Sequence, residues 1–106
     1  MSQDPPVFER VDRNGTATLV ITGELDLACV GELRDQLDAI TSGAPSTGVV
    51  DLAGVTFLDS SGLGVLIAAK KRAVAADTDL ELAAPSAVCR QVLELSGADQ
   101  FFLIRE

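Results

Sequence analysis

A strand-to-helix junction in the middle of the chain constrains the fold more than any other feature. An apolar run over residues 48–57, GVVDLAGVTF, is followed by the segment 58–65, LDSSGLGV. The run is typical of a buried strand, and the segment after it begins a helical pattern that continues to about Ala76. Ser60 at this junction would lie among unpaired backbone N–H groups at the positive end of a helix dipole. Such a position can hold a phosphate or receive one, and this sequence context favours receiving one.

The other segments alternate between strand and helix patterns. Asn14-Gly15 separates two strand-like runs, Val7–Asp12 and Thr16–Thr22, and therefore predicts a hairpin. Further strands are predicted over Thr47–Leu52, Leu80–Ala84 and Phe101–Arg105, and helices from Asp26 to Gly43, from Asp59-Ser60 to about Ala76, and from Pro85-Ser86 to Gly97. The order ββαβαβαβ predicts an α/β sandwich with a mostly parallel sheet and an antiparallel N-terminal strand. We expect a single domain over residues 1–106, with a flexible N-terminus over residues 1–6.

Composition excludes several classes of function. The net charge of −8 leaves no basic footprint for nucleic acid. No apolar run approaches the roughly 20 residues that cross a bilayer, and the first residues lack a signal-peptide pattern, so we expect a cytoplasmic protein without membrane insertion. Cys29 and Cys89 form neither a disulfide framework nor a zinc ligand set, and we interpret both mainly as small apolar residues packed on helix faces. We expect no metal and no cofactor, and a monomer or weak dimer.

Parallel strands bring the predicted site together. The helices after the second and third strands both begin at carboxyl ends of strands, so their starts share one edge of the sheet. Asp26 marks one start, and Asp59 with Ser60 marks the other. These residues form a small acidic group with an exposed serine.

Two enzymatic interpretations of Ser60 are disfavoured. A serine nucleophile needs a base, and the chain contains no histidine, while Lys70 lies about 15 Å further along the helix. A phosphate-binding loop motif is absent, and the pair Gly62 and Gly64 lies inside the helix, so catalytic nucleotide hydrolysis is disfavoured. Weak nucleotide binding stays open.

A purely structural interpretation also applies, because Ser and Asp are ordinary N-cap residues. Ser60, Ser61 and Asp26 could then simply cap helices. Gly62 and Gly64 are harder to explain in this way, since a glycine near a helix start costs up to about 1 kcal/mol relative to alanine. They indicate that another backbone or a partner protein approaches closely.

Three segments in matching order resemble the STAS domain, and within it the bacterial anti-sigma factor antagonists. They are the segment 23–26 (GELD), the segment 49–66 (VVDLAGVTFLDSSGLGVL) and the segment 95–98 (LSGA). The resemblance extends from about Val7 to Arg105. The central segment is specific, whereas the first would be weak by itself.

The resemblance implies a switch without enzymatic activity. The unphosphorylated antagonist binds an anti-sigma factor that is also a serine kinase, and so releases the sigma factor. The kinase phosphorylates Ser60, and a phosphatase of the PP2C type removes the phosphate. Asp26, Asp59, Ser61, Gly62 and Gly64 belong with Ser60 to the implied partner-binding surface, and Ser61 is an alternative acceptor.

Other members of this family imply different functions. Some are adaptor subunits of stress-sensing assemblies or of a lipid-transport complex, in which the serine need not be phosphorylated, and others sense small molecules. This chain also departs from the common pattern after Asp26, where it has the segment 27–30 (LACV) and relatives often carry Thr or another small polar residue. A thiol in the first turn of a helix can have a lowered pKa, which would make Cys29 sensitive to oxidation.

Overall fold

The computed structural model describes residues 5–42 and 47–106 and confirms the predicted order of elements within them. Its strands are β1 (Val7–Arg13), β2 (Thr16–Leu25), β3 (Thr47–Leu58), β4 (Leu80–Ala83) and β5 (Ile104–Arg105). Its helices are α1 (Val30–Thr41), α2 (Ser60–Ala75) and α3 (Ala87–Ser96), with 3-10 turns over Leu27–Cys29 and Ala98–Gln100. The predicted stop at Gly43 and residues 1–4 of the predicted flexible N-terminus lie outside the described residues.

The described strands form one mixed sheet in chain order, β1-β2-β3-β4-β5. β1 runs antiparallel to β2, and the later neighbours are parallel. Asn14 and Gly15 have φ angles of 53° and 79°, which confirms the hairpin predicted from this pair. β3 is central, as predicted, and Gly48, Val49 and Val50 are buried in succession.

The core lies between the sheet and the helices. α1 packs against β2 and α2, and α3 packs against β3. Val30, Leu33, Leu37 and Ile40 recur at helical spacing along α1; the last three are fully buried, and Val30 at the helix start is partly buried. Burying an aliphatic side chain of this size contributes about 1.5–3 kcal/mol. No helix in the described ranges combines the length and the apolar character that crossing a bilayer requires.

β2 is longer than the sequence predicted, and β3 covers the whole strand-like run 48–57 and does not stop at Leu52. The two strands end at Leu25 and Leu58 because they pair along their whole length. The pairing continues across register shifts, one of them beside Gly23, whose φ is 103°. The extension carries the ends of both strands to the edge at which α2 begins.

β5 is shorter than predicted, covering Ile104–Arg105 rather than Phe101–Arg105. Gly97 ends α3 with a φ of 79° and leads directly into the second 3-10 turn. The Phe101 N–H then donates to the Ala98 carbonyl oxygen at 2.9 Å. Local turn hydrogen bonds therefore occupy a segment whose apolar character had indicated a strand.

Candidate functional site

The parallel pairing of β2 and β3 places two helix starts side by side. Leu25 and Leu58, the last residues of the two strands, are paired, and the Asp59 N–H donates to the Leu25 carbonyl oxygen at 3.3 Å. Asp26 and Asp59 therefore follow the strands at one edge of the sheet, which confirms the shared edge predicted for them. Open α/β sheets place their binding sites at this edge.

Asp26 accepts two hydrogen bonds at the first of the two helix starts. Its carboxylate accepts a hydrogen bond from the Ala28 N–H at 3.0 Å, and its carbonyl oxygen accepts one from the Cys29 N–H at 3.1 Å. These contacts form a 3-10 turn. As a result α1 begins at Val30, whereas the sequence predicted that it would begin directly after Asp26. The turn leaves Leu27 70% exposed beside the site.

Asp59 is the N-cap of α2. Its carboxylate accepts a hydrogen bond from the Gly62 N–H at 3.0 Å. The interpretation in which Ser60 and Ser61 cap this helix is therefore wrong, because Asp59 performs that role. Ser60 is exposed, and neither serine hydroxyl forms a hydrogen bond with any residue that the structure describes.

The two glycines of α2 have different surroundings. A Cβ atom on Gly62 would lie 2.9 Å from the Leu25 carbonyl oxygen and 2.9 Å from Leu58 Cδ1. The close backbone approach predicted here thus comes from β2 of the same chain. Gly64 is exposed, and a Cβ on it would meet nothing within 4 Å. Gly64 leaves the surface beside Ser60 open.

Cys29 lies buried beneath the acidic pair, and its Sγ donates to the Asp26 carbonyl oxygen at 3.3 Å. Burial raises the pKa of the Cys29 thiol, the contact with that carbonyl offsets part of the rise, and the charges of Asp26 and Asp59 add to it. The burial of Cys29 and Cys89 confirms their interpretation as small apolar packing residues, and the lowered pKa considered for Cys29 is not found. Burial also raises the pKa of the Cys89 thiol.

A groove of about 420 Å³ connects the serines with α1. Ser60, Ser61 and Gly64 line it from α2, and Arg34 lines it from α1. Sequence reasoning missed Arg34, because one charged residue on an exposed helix face has no distinguishing pattern. Its relevance appears when the packing of α1 against α2 is known.

An acidic and apolar surface lies on the other side of Asp26. Glu24, Asp26 and Glu32 line a depression of about 290 Å³. Leu27, in the 3-10 turn after β2, is 70% exposed, and Phe57, near the end of β3, is 45% exposed. The sequence did not predict that these two side chains are exposed. Leu27 lies in a segment that was predicted to be helical, and Phe57 lies in an apolar run that was predicted to be a buried strand. Within the described ranges, the acidic and cysteine side chains form no group of three or more suited to a metal ion.

Comparison with known proteins identifies the family. The profile of the family described as "Mlab, STAS domain" matches residues 9–105. The anti-sigma-F factor antagonist RsfB of Mycobacterium tuberculosis is 33% identical over 91 residues, covering 86% of this chain and 74% of the relative. An anti-sigma F factor antagonist of Lysinibacillus sphaericus is 33% identical over 91 residues, covering 85% of this chain and 77% of the relative.

A solved structure has the same fold. It is an anti-sigma factor antagonist from Mycobacterium paratuberculosis, with a TM-score of 0.88 and 26% identity, and the match covers 98% of this chain and 88% of that chain. The family profile spans nearly the whole chain and includes the strand ends and helix starts that build the acidic edge. The chain therefore belongs to the STAS domain family, among the bacterial anti-sigma factor antagonists.

Proposed function

We propose that this protein is an anti-sigma factor antagonist controlled by phosphorylation of Ser60. In its unphosphorylated form it binds, in the cytoplasm, an anti-sigma factor that is also a serine kinase, and the sigma factor is released. The kinase transfers the γ-phosphoryl group of ATP to Ser60 Oγ, with ADP as the leaving group, and the complex separates. A PP2C-type phosphatase hydrolyses the phosphate ester and restores the binding form. The protein acts as a binding partner and kinase substrate, not as an enzyme.

The free hydroxyl of Ser60 carries this proposal. Asp59 caps α2, so Ser60 is exposed at the helix start without a hydrogen bond to the described residues. Modifying this hydroxyl breaks no contact that holds the fold together. The helix dipole also favours a negative group at this position. We therefore expect phosphorylation to leave the domain folded.

The surroundings of Ser60 explain how a phosphate would end binding. The surface beside it already carries Asp26 and Asp59, and exposed Leu27 and Phe57 lie nearby. A complementary partner presents apolar and basic groups fitted to a neutral hydroxyl. Phosphorylation adds about −1.5 to −2 charge and three further oxygen atoms at this position. The added group occupies the space of a close contact and changes its electrostatics.

Affinity capture from native lysate tests the proposal. Wild type, Ser60→Asp and Ser86→Asp serve as parallel baits, and Ser86→Asp is the matched control because Ser86 caps α3 away from the site and Asp caps a helix as well as Ser does. We expect wild type and Ser86→Asp to retain an ATP-binding anti-sigma factor, and Ser60→Asp to lose it while its circular dichroism spectrum stays native. Full retention by folded Ser60→Asp would contradict the switch.

The captured partner then allows a direct kinase assay. Incubated with ATP, wild type should gain the mass of one phosphate, and Ser60→Ala should gain none. If every bait instead retains the same transporter or large assembly, and no phosphate is transferred, the chain is an adaptor subunit. Ser60 would then have no switching role.

A further inference from the structure

An arginine in the groove beside Ser60 has no ion-pair partner among the described residues. Arg34 and Arg72 both line this groove. Arg72 is bound to Asp38, with Nη2 at 2.7 Å and Nε at 3.2 Å from Oδ1. Asp38 is also the i+4 neighbour of Arg34 and would be its natural helical partner. Arg34 is exposed and forms no hydrogen bond or ion pair with residues 5–42 or 47–106.

The helix arrangement directs Arg34 toward Ser60. Both α1 and α2 lead away from the sheet edge at which β2 and β3 end, so the two helices run in the same direction. The contact between Arg72 and Asp38 shows which turns of the two packed helices face each other at the far end of the groove. Side chains on a helix lean toward its N-terminus. Arg34 lines the groove one turn before Asp38, on the side of the Arg72 contact that is nearer the helix starts, and its side chain is long enough to reach toward Ser60.

We propose that Arg34 binds the phosphate on Ser60 across the groove between α1 and α2; this inference rests on the phosphorylation proposed above. The guanidinium group offers a planar fork of N–H donors that matches phosphate oxygens in a bidentate geometry. In the unmodified protein no residue in the ranges 5–42 and 47–106 offers Arg34 such an acceptor. After phosphorylation its side chain moves onto the phosphate and covers the open surface at Gly64.

Because of the contact between Arg34 and the phosphate, phosphorylation changes the surface of both helices and not only the charge at Ser60. Arg34 belongs to α1, whereas Ser60 belongs to α2, so the phosphorylated form differs from the unmodified form on both helices. A partner that covers the groove would meet a changed shape as well as a changed charge. Arg34 thus holds the phosphate in place, and its movement is part of the structural difference between the two forms.

The test uses full-length protein with phosphoserine incorporated at position 60 during translation, so that no kinase is needed. It compares wild type with Arg34→Gln, and with Lys71→Gln as the matched control. Lys71 is an exposed cation of α2 that does not line the groove. The phosphate is titrated by ³¹P NMR at physiological salt, where charges beyond about 8 Å are screened. The ¹⁵N–¹H signal of Arg34 Nε is recorded with and without the phosphate.

We expect the phosphate of Arg34→Gln to titrate about half a pH unit higher than that of wild type, the size of a partly exposed ion pair. Lys71→Gln should titrate like wild type, and the Arg34 Nε signal should shift on phosphorylation. Equal midpoints in all three proteins, with an unchanged Nε signal, would overturn the inference. That result would leave the kinase proposal intact, whereas a negative kinase assay with a positive NMR result would overturn the proposed function and leave the Arg34 contact standing.

Discussion

The starts of α2 and α3 both carry a serine, and they use it in opposite ways. At α3 the Ser86 Oγ accepts a hydrogen bond from the Cys89 N–H at 3.2 Å and caps the helix. At α2 the Asp59 carboxylate makes the corresponding contact to Gly62 at 3.0 Å. Ser60 is then left exposed and without a hydrogen bond to the described residues. A serine next to an efficient cap is available for chemistry, whereas a serine that is the cap is not.

The two starts also differ in their surroundings. The Ser86 N–H donates to the Leu52 carbonyl oxygen at 3.3 Å, which attaches the α3 start to the middle of β3. The α2 start lies at the ends of β2 and β3, beside Asp26 and the groove lined by Arg34. The first arrangement anchors a helix to the sheet. The second presents a hydroxyl at an acidic edge.

The largest effect is expected from Gly62→Ala, because the α2 start is packed tightly against β2. Its Cβ would lie 2.9 Å from the Leu25 carbonyl oxygen, a backbone atom that cannot easily move. We expect the free energy of unfolding, measured by urea denaturation, to fall by about 1–3 kcal/mol. Gly64→Ala is the control, and should raise stability by up to about 1 kcal/mol, because that Cβ meets nothing within 4 Å. Equal stability of Gly62→Ala and Gly64→Ala would contradict the packing described here.

A medium effect is expected from removing the caps. Asp59→Ala and Ser86→Ala should each lower the free energy of unfolding by about 1 kcal/mol, since each leaves a helix N–H without its acceptor. Ser60→Ala should change it by less than about 0.5 kcal/mol, as an exposed substitution without a lost contact. The same urea titrations measure all three. A loss in Ser60→Ala as large as that in Ser86→Ala would mean that Ser60 has a structural role after all.

The smallest effect concerns the two thiols, Cys29 at the start of α1 and Cys89 in the first turn of α3. Burial raises the pKa of both Cys29 and Cys89, so both are protonated at neutral pH. We expect iodoacetamide to alkylate both more slowly in the folded protein than in urea, with the rate rising as the pH approaches the raised pKa. Mass spectrometry of quenched samples measures the rates. Faster alkylation of Cys29 in the folded protein would indicate a reactive thiol at the site.

Sequence reasoning succeeded where one local rule decided the outcome. Asn14-Gly15 required a hairpin, and the parallel strands required Asp26 and Asp59 to share an edge. It failed where competing contacts decided. The helical pattern predicted a helix directly after Asp26, whereas hydrogen bonds to Asp26 form a 3-10 turn over Leu27–Cys29 and α1 begins at Val30. Arg34 became relevant when the structure showed that Asp38 is bound to Arg72.

Phosphosite mapping tests the central claim most directly. The protein would be isolated from its native cells with phosphatases inhibited, and its phosphopeptides would be assigned by tandem mass spectrometry. We predict phosphate on Ser60, and none on Ser61 or on the capping Ser86. Phosphate on Ser86, or Ser60 unmodified under every growth condition in which the protein is present, would contradict the account.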